Sequence, residues 1–491
     1  MNKRLLYLAE GTVICVALSI SGCGKYLDIA PDMRTDLDSP EKVGELLATA
    51  YPQANYIPFT EILSDNAGDK GTGNAPVVNS APYHFQDVSD IHQDSPTYYW
   101  NASYTAIAAA NHALQAIERN GNTEAYQPYK GEALVARAYA HFMLAVLFAQ
   151  PYEEHAAANL PGIPYVTEVE DVVIKRYERR TVAYVYDQIE KDLLEGLSLL
   201  DDGVYISPKF HFTTAAAHAF ASRYYLFKRA YAKALEHANA VFGEGSFASN
   251  LRPVNSEAYR SLQYLELAAH YTRADNPANI LLVEVPTLWG RSYPNYRYGF
   301  TVATWNEVFG ANVTGGVWGY GVYGSDMTLN IPKFREHFVR QSLHAETGIP
   351  YNMVPLFTAE EVLFNRAEAK AMMGDFVGAL ADLNDYAATR MGYDYQNPVY
   401  MPDLHKITRD KLLGFYRTFS MEEALVKCIL DFKRVNFLHE GQRWFDIVRH
   451  NLGVVHRTAD NRILTLGPND PMRIAQIPQE AQSAGVELNP R

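Results

Sequence analysis

The chain contains two related stretches, GDFVGALADLN at residues 374–384 and RAYAKALEHAN at residues 229–239. Each places an aromatic residue three positions before an Ala-Leu pair, and then a small or apolar residue and an asparagine. Each also follows a segment rich in alanine. This pattern is typical of the second half of a tetratricopeptide-type helical hairpin, in which small side chains let paired helices approach closely. The repeat therefore predicts a helical-repeat scaffold.

Helical periodicity extends this prediction to other parts of the chain. Apolar residues recur at spacings of three and four in segments 98–120, 128–148 and 184–200, which indicates helices with buried faces. Four hydroxyl residues suit the N-cap position of predicted helices: Ser39, Thr181, Thr358 and Ser420. We therefore expect a mainly α fold.

A different segment, residues 278–355, separates the two repeats. It has little helical period, with a predicted strand from Ile280 to Val285 and long loops dense in Gly, Trp and Tyr from Leu288 to Tyr323. Loops of that length inside a compact protein are usually functional or disordered, and the aromatic content argues against disorder. We expect a loop-rich, partly β, aromatic-rich region between an N-terminal helical region (39–277) and a C-terminal one (356–491).

The first 22 residues have the order of an export signal. A basic start is followed by an apolar run and then by the small residues Ile20-Ser21-Gly22 before Cys23, as in a signal peptide with its cleavage site. The segment is too short to span a bilayer. We therefore predict cleavage before Cys23, a lipid on its thiol that anchors the protein to a membrane, and an extended tether over residues 23–38.

The net charge disfavours one class of partner, and the cysteine content excludes stabilisation by an intramolecular disulfide. The formal net charge is −13 and the basic residues form no cluster, which disfavours nucleic acid as a partner. Of the three cysteines, Cys15 leaves with the signal and Cys23 carries lipid, so Cys428 alone remains. An intramolecular disulfide is therefore excluded, and stability must come from the core.

Tyrosine is unusually abundant. The chain has 34 Tyr, 22 Phe and 5 Trp, and in an exported acidic protein such flat amphipathic side chains suit stacking on sugars or peptides.

Several blocks of sequence carry a family resemblance. In chain order they are CGKYLDIAP (23–31), Trp100 to Asn111, GEALVARAY (131–139), GIPYV (162–166), RTVAYVY (180–186), RAEA (366–369), EGQRWFDIVR (440–449) and IPQE (477–480). Together they resemble the SusD/RagB lipoproteins over the whole mature chain. EGQRWFDIVR is the most specific of these blocks.

The resemblance implies a tetratricopeptide-like scaffold displayed at the outer surface of a Gram-negative outer membrane. It also implies a SusC-like TonB-dependent transporter as partner, over which the protein sits as a lid that captures oligosaccharide or polysaccharide nutrients. RagB-like members of the family capture peptides instead. A peptide ligand therefore stays open, as does a role as an interaction platform that binds no nutrient itself.

Candidate ligand-binding residues follow from the chemistry of sugar recognition. Flat aromatic faces cover a pyranose ring, and amides, carboxylates or arginines bond its hydroxyls. The resemblance to starch-binding members points to the start of the first long helix and to a central loop. The candidates are Asp65, Asn66, Trp100, Asn101, Trp289, Tyr293, Tyr296, Trp305, Trp318 and Tyr320. Two alternatives stay open: Trp100 belongs to a helical stripe and fits the core, and the loop aromatics could pack or contact the transporter.

Signatures of catalysis are absent from the sequence. Adjacent carboxylates such as Glu153-Glu154 and Glu360-Glu361 fit helix starts and solvated faces better than a glycosidase pair. The chain lacks the nucleophile-elbow, zinc-protease and phosphate-loop motifs. Its histidines are scattered, with His337 and His344 seven residues apart, which is not metal-ligand spacing. We therefore expect a binding protein without enzymatic activity, cofactor or metal ion.

Overall fold

The computed structural model describes residues 37–170, 176–394, 396 and 398–491. The predicted signal peptide, the lipidation site Cys23 and most of the tether lie outside these residues. Within them the fold is mainly α with a few small sheets, as the sequence predicts.

The described chain contains nineteen α-helices. In the first half they are α1 (Pro40–Leu47), α2 (Ile57–Leu63), α3 (Val77–Tyr83), α4 (Pro96–Arg119), α5 (Gln127–Phe148), α6 (Val182–Leu197), α7 (Thr214–Phe227), α8 (Tyr231–Phe242), α9 (Glu257–Arg260) and α10 (Tyr264–Tyr271). In the second half they are α11 (Trp289–Ser292), α12 (Val302–Val308), α13 (Ala359–Met372), α14 (Phe376–Ala388), α15 (Pro402–His405), α16 (Arg409–Tyr416), α17 (Met421–Asn436), α18 (Gln442–Arg449) and α19 (Gln479–Ser483).

Helix α5 forms the centre of the N-terminal half. Every residue from Gly131 to Phe148 is buried, and although the helix is long and apolar enough to cross a membrane, it lies wholly inside the protein. Its crossing with α6 is very close, because a Cβ added at Gly131 would lie 2.8 Å from the carbonyl oxygen of Gly196. Arg137 of α5 forms a bidentate ion pair with Asp192 of α6 at 2.7 and 2.8 Å.

The two repeats form matching helical hairpins, α7–α8 and α13–α14. The residue at each corner has a positive φ, 84° at Gly374 and 58° at Arg229. The next residue closes the corner in both hairpins by donating its N–H to a carbonyl five positions earlier, from Asp375 to Lys370 and from Ala230 to Tyr225, both at 2.9 Å. A left-handed residue of this kind commonly ends a helix.

Nine strands complete the described fold: β1 (Gly68–Asp69), β2 (Asn279–Pro286), β3 (Tyr298–Gly299), β4 (Val317–Trp318), β5 (Glu336–Arg340), β6 (Gly348–Thr358), β7 (Met391–Gly392), β8 (Val454–Arg457) and β9 (Ile463–Leu466). Strands β2, β6 and β5 form an antiparallel sheet in that order. The other six pair in three short ribbons, β1–β3, β4–β7 and β8–β9.

The loop-rich region therefore contains more regular structure than its sequence suggests. The predicted strand at 280–285 is β2, whereas β5, β6 and two short helices were expected as loops. Strand β6 continues past residue 355, the predicted edge of the region, and Thr358 at its end caps α13 by accepting from the N–H of Glu361. A strand that runs directly into a helix leaves no composition change to mark the boundary.

Candidate functional site

The ribbon formed by β4 and β7 brings the aromatic central loop against the end of the second repeat. Val317 pairs with Gly392 and Trp318 with Met391, and Gly319 then donates its N–H to the carbonyl of Arg390 at 2.7 Å. A side chain at residue 319 would meet Asn255 at 3.0 Å. Glycine at this position therefore lets the loop lie against both segments.

Beside this ribbon lies a cleft of about 140 Å³. We call it the ribbon cleft. Four aromatic side chains line it, namely Trp318, Tyr320, Tyr323 and Tyr259, and two charged residues, Arg260 and Asp394, stand at its exposed margin. Trp318 and Tyr320 are each about 5% exposed, whereas Tyr259 and Tyr323 are half-buried. The cleft thus combines flat apolar walls with a polar rim.

A buried network fixes the back of the ribbon cleft. Arg390 donates from Nε to the hydroxyl of Tyr320 at 2.9 Å and from Nη2 to Glu360 at 2.8 Å, and the hydroxyl of Tyr320 donates to Asn436 at 3.1 Å. Burial lowers the pKa of Arg390, but Tyr320, Tyr386 and Glu360 together raise it above its usual value. The guanidinium therefore stays charged and holds the Tyr320 ring in place.

Trp318 is fixed by packing. Its ring stands edge-on to Phe432 at 5.5 Å and to Phe309 at 6.3 Å. Its indole N–H is buried and has no hydrogen-bond partner among the described residues, whereas buried indole N–H groups usually find one. Among the described residues, ring contacts rather than hydrogen bonds therefore hold the Trp318 side chain.

A second, more open cleft of about 570 Å³ is lined by residues 312–315, by Tyr393 and by residues of the 404–415 segment. We call it the outer cleft. Tyr393 lines it, whereas its neighbours Gly392 and Asp394 line the ribbon cleft. Phe415 adds a second exposed ring, and Asn312, Asp410 and Lys411 supply polar groups. The outer cleft, like the ribbon cleft, thus combines aromatic rings with polar groups.

Three predicted aromatics of the central loop lie elsewhere, in the core. Trp289, Tyr293 and Tyr296 are each at most 4% exposed. The indole N–H of Trp289 donates to the carbonyl of His439 at 3.0 Å, and the hydroxyl of Tyr293 donates to the carbonyl of Ile331 at 2.9 Å. Their polar atoms are satisfied by the protein, so ligand contact would require these rings to move.

Asp65 and Asn66 take part in an ion-pair network. Arg443 contacts both carboxylate oxygens of Asp65 at 2.8 Å, and Asn66 accepts from Arg434 at 3.0 Å and donates to Glu61 at 3.2 Å. Burial raises the pKa of Asp65, but Arg443, with Arg434 and His456, more than offsets this and lowers it to about 2. The carboxylate is therefore ionised and already occupied.

The remaining candidates lie in different environments. Trp100 is about 5% exposed and packs on Tyr104 and Phe148, which matches the core alternative. Asn101 is exposed on the same helix, and Trp305 is half-buried on α12. The structure thus brings Trp318 and Tyr320 together in one cleft and leaves the other predicted residues outside it.

Four further aromatic residues that line the clefts were not among the predicted site residues: Tyr259, Tyr323, Tyr393 and Phe415. Tyr323 ends the aromatic run that was recognised as a unit, so it could have been included. Tyr259 and Tyr323 lie 64 positions apart in the chain and line the same cleft, a proximity that no local pattern marks. Among the described residues, no group of three or more His, Cys, Asp or Glu side chains could hold a metal ion.

Known proteins share this architecture. Residues 25–226 match a SusD-like family model described as starch-binding and associating with the outer membrane. A SusD superfamily protein from Bacteroides thetaiotaomicron superimposes with a TM-score of 0.65 over 92% of this chain and 100% of that protein, at 20% identity. The chain thus has the SusD-like fold, and its residues 25–226 are similar to the SusD-like family.

Other SusD-like structures agree in fold over nearly the whole chain. A putative sugar-binding protein from Bacteroides vulgatus superimposes with a TM-score of 0.67 at 22% identity, covering 92% of this chain and 98% of that one. A SusD-like carbohydrate-binding protein from the same species gives a TM-score of 0.62 at 18% identity, with 91% and 96% covered. A search of curated proteins found no match.

Proposed function

We propose that this SusD-like protein is a non-catalytic outer-membrane lipoprotein that binds oligosaccharides or polysaccharides and delivers them to a SusC-like TonB-dependent transporter. The family description as starch-binding and associated with the outer membrane supports the ligand class and the location. Two relatives of the same fold are described as sugar- or carbohydrate-binding. Lipid on Cys23 would hold the protein at the membrane, facing the cell exterior.

The ribbon cleft is the observation that carries this proposal. Its walls are aromatic faces, which cover the apolar face of a pyranose, and its rim carries Arg260 and Asp394, whose charged groups bond hydroxyls. The site would therefore select a polar ligand with one flat apolar face.

The size of the two clefts favours a chain of sugars over a single sugar. A volume of about 140 Å³ is below the roughly 300–1,000 Å³ of pockets that enclose drug-sized ligands, so the ribbon cleft suits about one ring. The neighbouring rings of an oligosaccharide would then lie along the outer cleft, over Tyr393 and Phe415. Multivalent contact of this kind raises affinity for a polymer.

Affinity electrophoresis through gels that contain different polysaccharides tests the proposed ligand class. We expect at least one polysaccharide to retard the protein, and a mixture of peptides to leave that retardation unchanged. Failure of every glycan to bind, with clear binding of peptides, would replace this proposal by the peptide-capturing alternative. Copurification with the transporter but no binding of glycan or peptide would favour an interaction platform.

A further inference from the structure

The three-stranded sheet leaves one edge open. Strand β2 pairs with residues 351–358 of β6 and β5 pairs with residues 348–352, so the β5–β6 hairpin extends beyond β2. Residues 337–340 of β5 are exposed, whereas β2 is almost entirely buried. Within the described residues, no backbone hydrogen bond joins the outer side of β5 to another segment.

The register identifies the backbone groups that face outward. Pro350 lies opposite Phe338, has no N–H, and turns its carbonyl away from β5 to accept from the N–H of Thr287 at 3.0 Å. Phe338 therefore occupies a non-hydrogen-bonded position toward β6. Since the pattern alternates, the N–H and carbonyl groups of Glu336, Phe338 and Arg340 point to the open edge.

In an antiparallel pairing of two identical β5 strands, the charges among these three residues would complement each other. If β5 pairs antiparallel with β5 of a second copy, centred on Phe338, then Glu336 of each chain lies opposite Arg340 of the other. Two such pairs form, and opposite charges directly across a sheet are stabilising. The three side chains also share one face of the strand, because successive residues alternate.

The side chains of β5 are arranged to favour this pairing. Glu336 forms an ion pair with Arg291, whose guanidinium lies 5.4 Å from the centre of the Phe338 ring. Arg340 is exposed and makes no ion pair with any described residue. Glu336 of a second copy would supply the charge that Arg340 lacks in its own chain.

Exposed apolar side chains also concentrate on this hairpin. Phe338, Val339 and Ile349 are 37%, 42% and 42% exposed, and Leu343 at the tip is 84% exposed. Open edges are commonly protected by charged side chains, proline or a bulge. Strand β5 has no proline and an unbroken register, and its charged residues Glu336 and Arg340 are the ones that the pairing would match. An open edge with matched charges and an apolar surround is suited to a partner strand.

We propose that β5 is a self-association site, at which two copies of the chain join their sheets into one six-stranded antiparallel sheet about a two-fold axis. Both copies use the same surface, as in most symmetric dimers. Backbone hydrogen bonds of the added strand would give affinity, and the two Glu336–Arg340 pairs would fix the register. The site is separate from the ribbon cleft and does not depend on its ligand.

Two cysteine substitutions one residue apart test this geometry. The Cα atoms of a hydrogen-bonded antiparallel pair lie about 5.5 Å apart, within the roughly 4.4–6.8 Å that a disulfide spans. Under mild oxidation of the full-length protein, Phe338→Cys should therefore give a covalent dimer. Val339→Cys should not, because it faces His337 of the second copy. Equal yields for the two variants, or no dimer with either, would overturn the proposal.

Charge reversal tests the register independently of covalent capture. Arg340→Glu alone and Glu336→Arg alone each create two like-charged pairs, so each variant should self-associate roughly tenfold more weakly in sedimentation equilibrium. An equimolar mixture of the two restores both opposite-charge pairs and should dimerise like the unsubstituted protein. A monomeric mixture, or an unsubstituted protein that binds another protein through β5 and never itself, contradicts the proposal. Unchanged thermal unfolding confirms that the variants are folded.

Discussion

Glu61 is a buried carboxylate on which two distant parts of the chain depend. It accepts from the backbone N–H of His439 at 2.8 Å and of Gly441 at 2.9 Å, and so holds α2 against the turn before α18. Burial is the largest influence on this group and raises its pKa from 4.5 to about 7, although these hydrogen bonds and Lys333 act in the opposite direction.

This shift predicts a pH dependence of stability. The unfolded chain ionises Glu61 near pH 4.5, whereas the folded protein does so near pH 7, so the folded state binds more protons between these values. The contribution of Glu61 to the free energy of unfolding is therefore fully present below about pH 4.5 and falls, by on the order of 3 kcal/mol, as the pH rises through about 7.

Urea unfolding across this pH range measures the effect. Glu61→Gln removes the titrating group, so the fall in stability between about pH 4.5 and 7 should become shallower. Glu45→Gln changes an exposed residue of α1 and should leave the profile unchanged. A profile for Glu61→Gln parallel to that of the unsubstituted protein would show that Glu61 does not titrate in this range.

At the scale of elements, local chemistry in the sequence predicts the helices well. The four expected N-caps each accept a hydrogen bond in the structure: Ser39 from Lys42, Thr181 from Tyr184, Thr358 from Glu361 and Ser420 from Glu423. The helix expected over 128–148 is Gln127–Phe148. These signals depend on neighbours three or four positions apart, which one sequence contains in full.

Strand pairing and the clefts were harder to predict for the same reason. Strands β4 and β7 have two residues each and lie more than 70 positions apart, so no local pattern marks their contact. Aromatic content alone also does not separate Trp318, in the wall of a cleft, from Trp289, whose indole N–H bonds His439 in the core. That difference depends on contacts between residues far apart in the chain, Trp289 with His439 and Trp318 with Phe432.

At the scale of the whole molecule, the three predicted regions share one hydrophobic core. A single cluster includes residues from α1, from β2 and from α17. Near the C-terminus, Asn489 donates to the carbonyl of Phe148 at 2.9 Å and Ala475 donates to that of Leu147 at 2.8 Å. The scaffold thus closes on its central helix α5, and both clefts are held by parts of the same body.

The proposed anchoring of this body depends on one residue outside the described part. Replacing Cys23→Ala removes the thiol that would carry lipid, so we expect the protein to leave the membrane fraction and lose acyl labelling. Cys15→Ala changes a cysteine of the predicted signal peptide and should leave anchoring intact. Normal membrane retention of the Cys23→Ala variant, measured by fractionation, would contradict lipid anchoring at this position.

Isothermal titration of a retained polysaccharide is the most direct test of the central claim, that the ribbon cleft binds glycan. Tyr323→Ala removes a ring that lines the cleft and should weaken binding about tenfold. Tyr184→Ala removes a similarly accessible ring on α6 that lines neither cleft, and should bind like the unsubstituted protein. Equal affinity of all three proteins for the glycan would contradict the assignment of the ribbon cleft as the binding site.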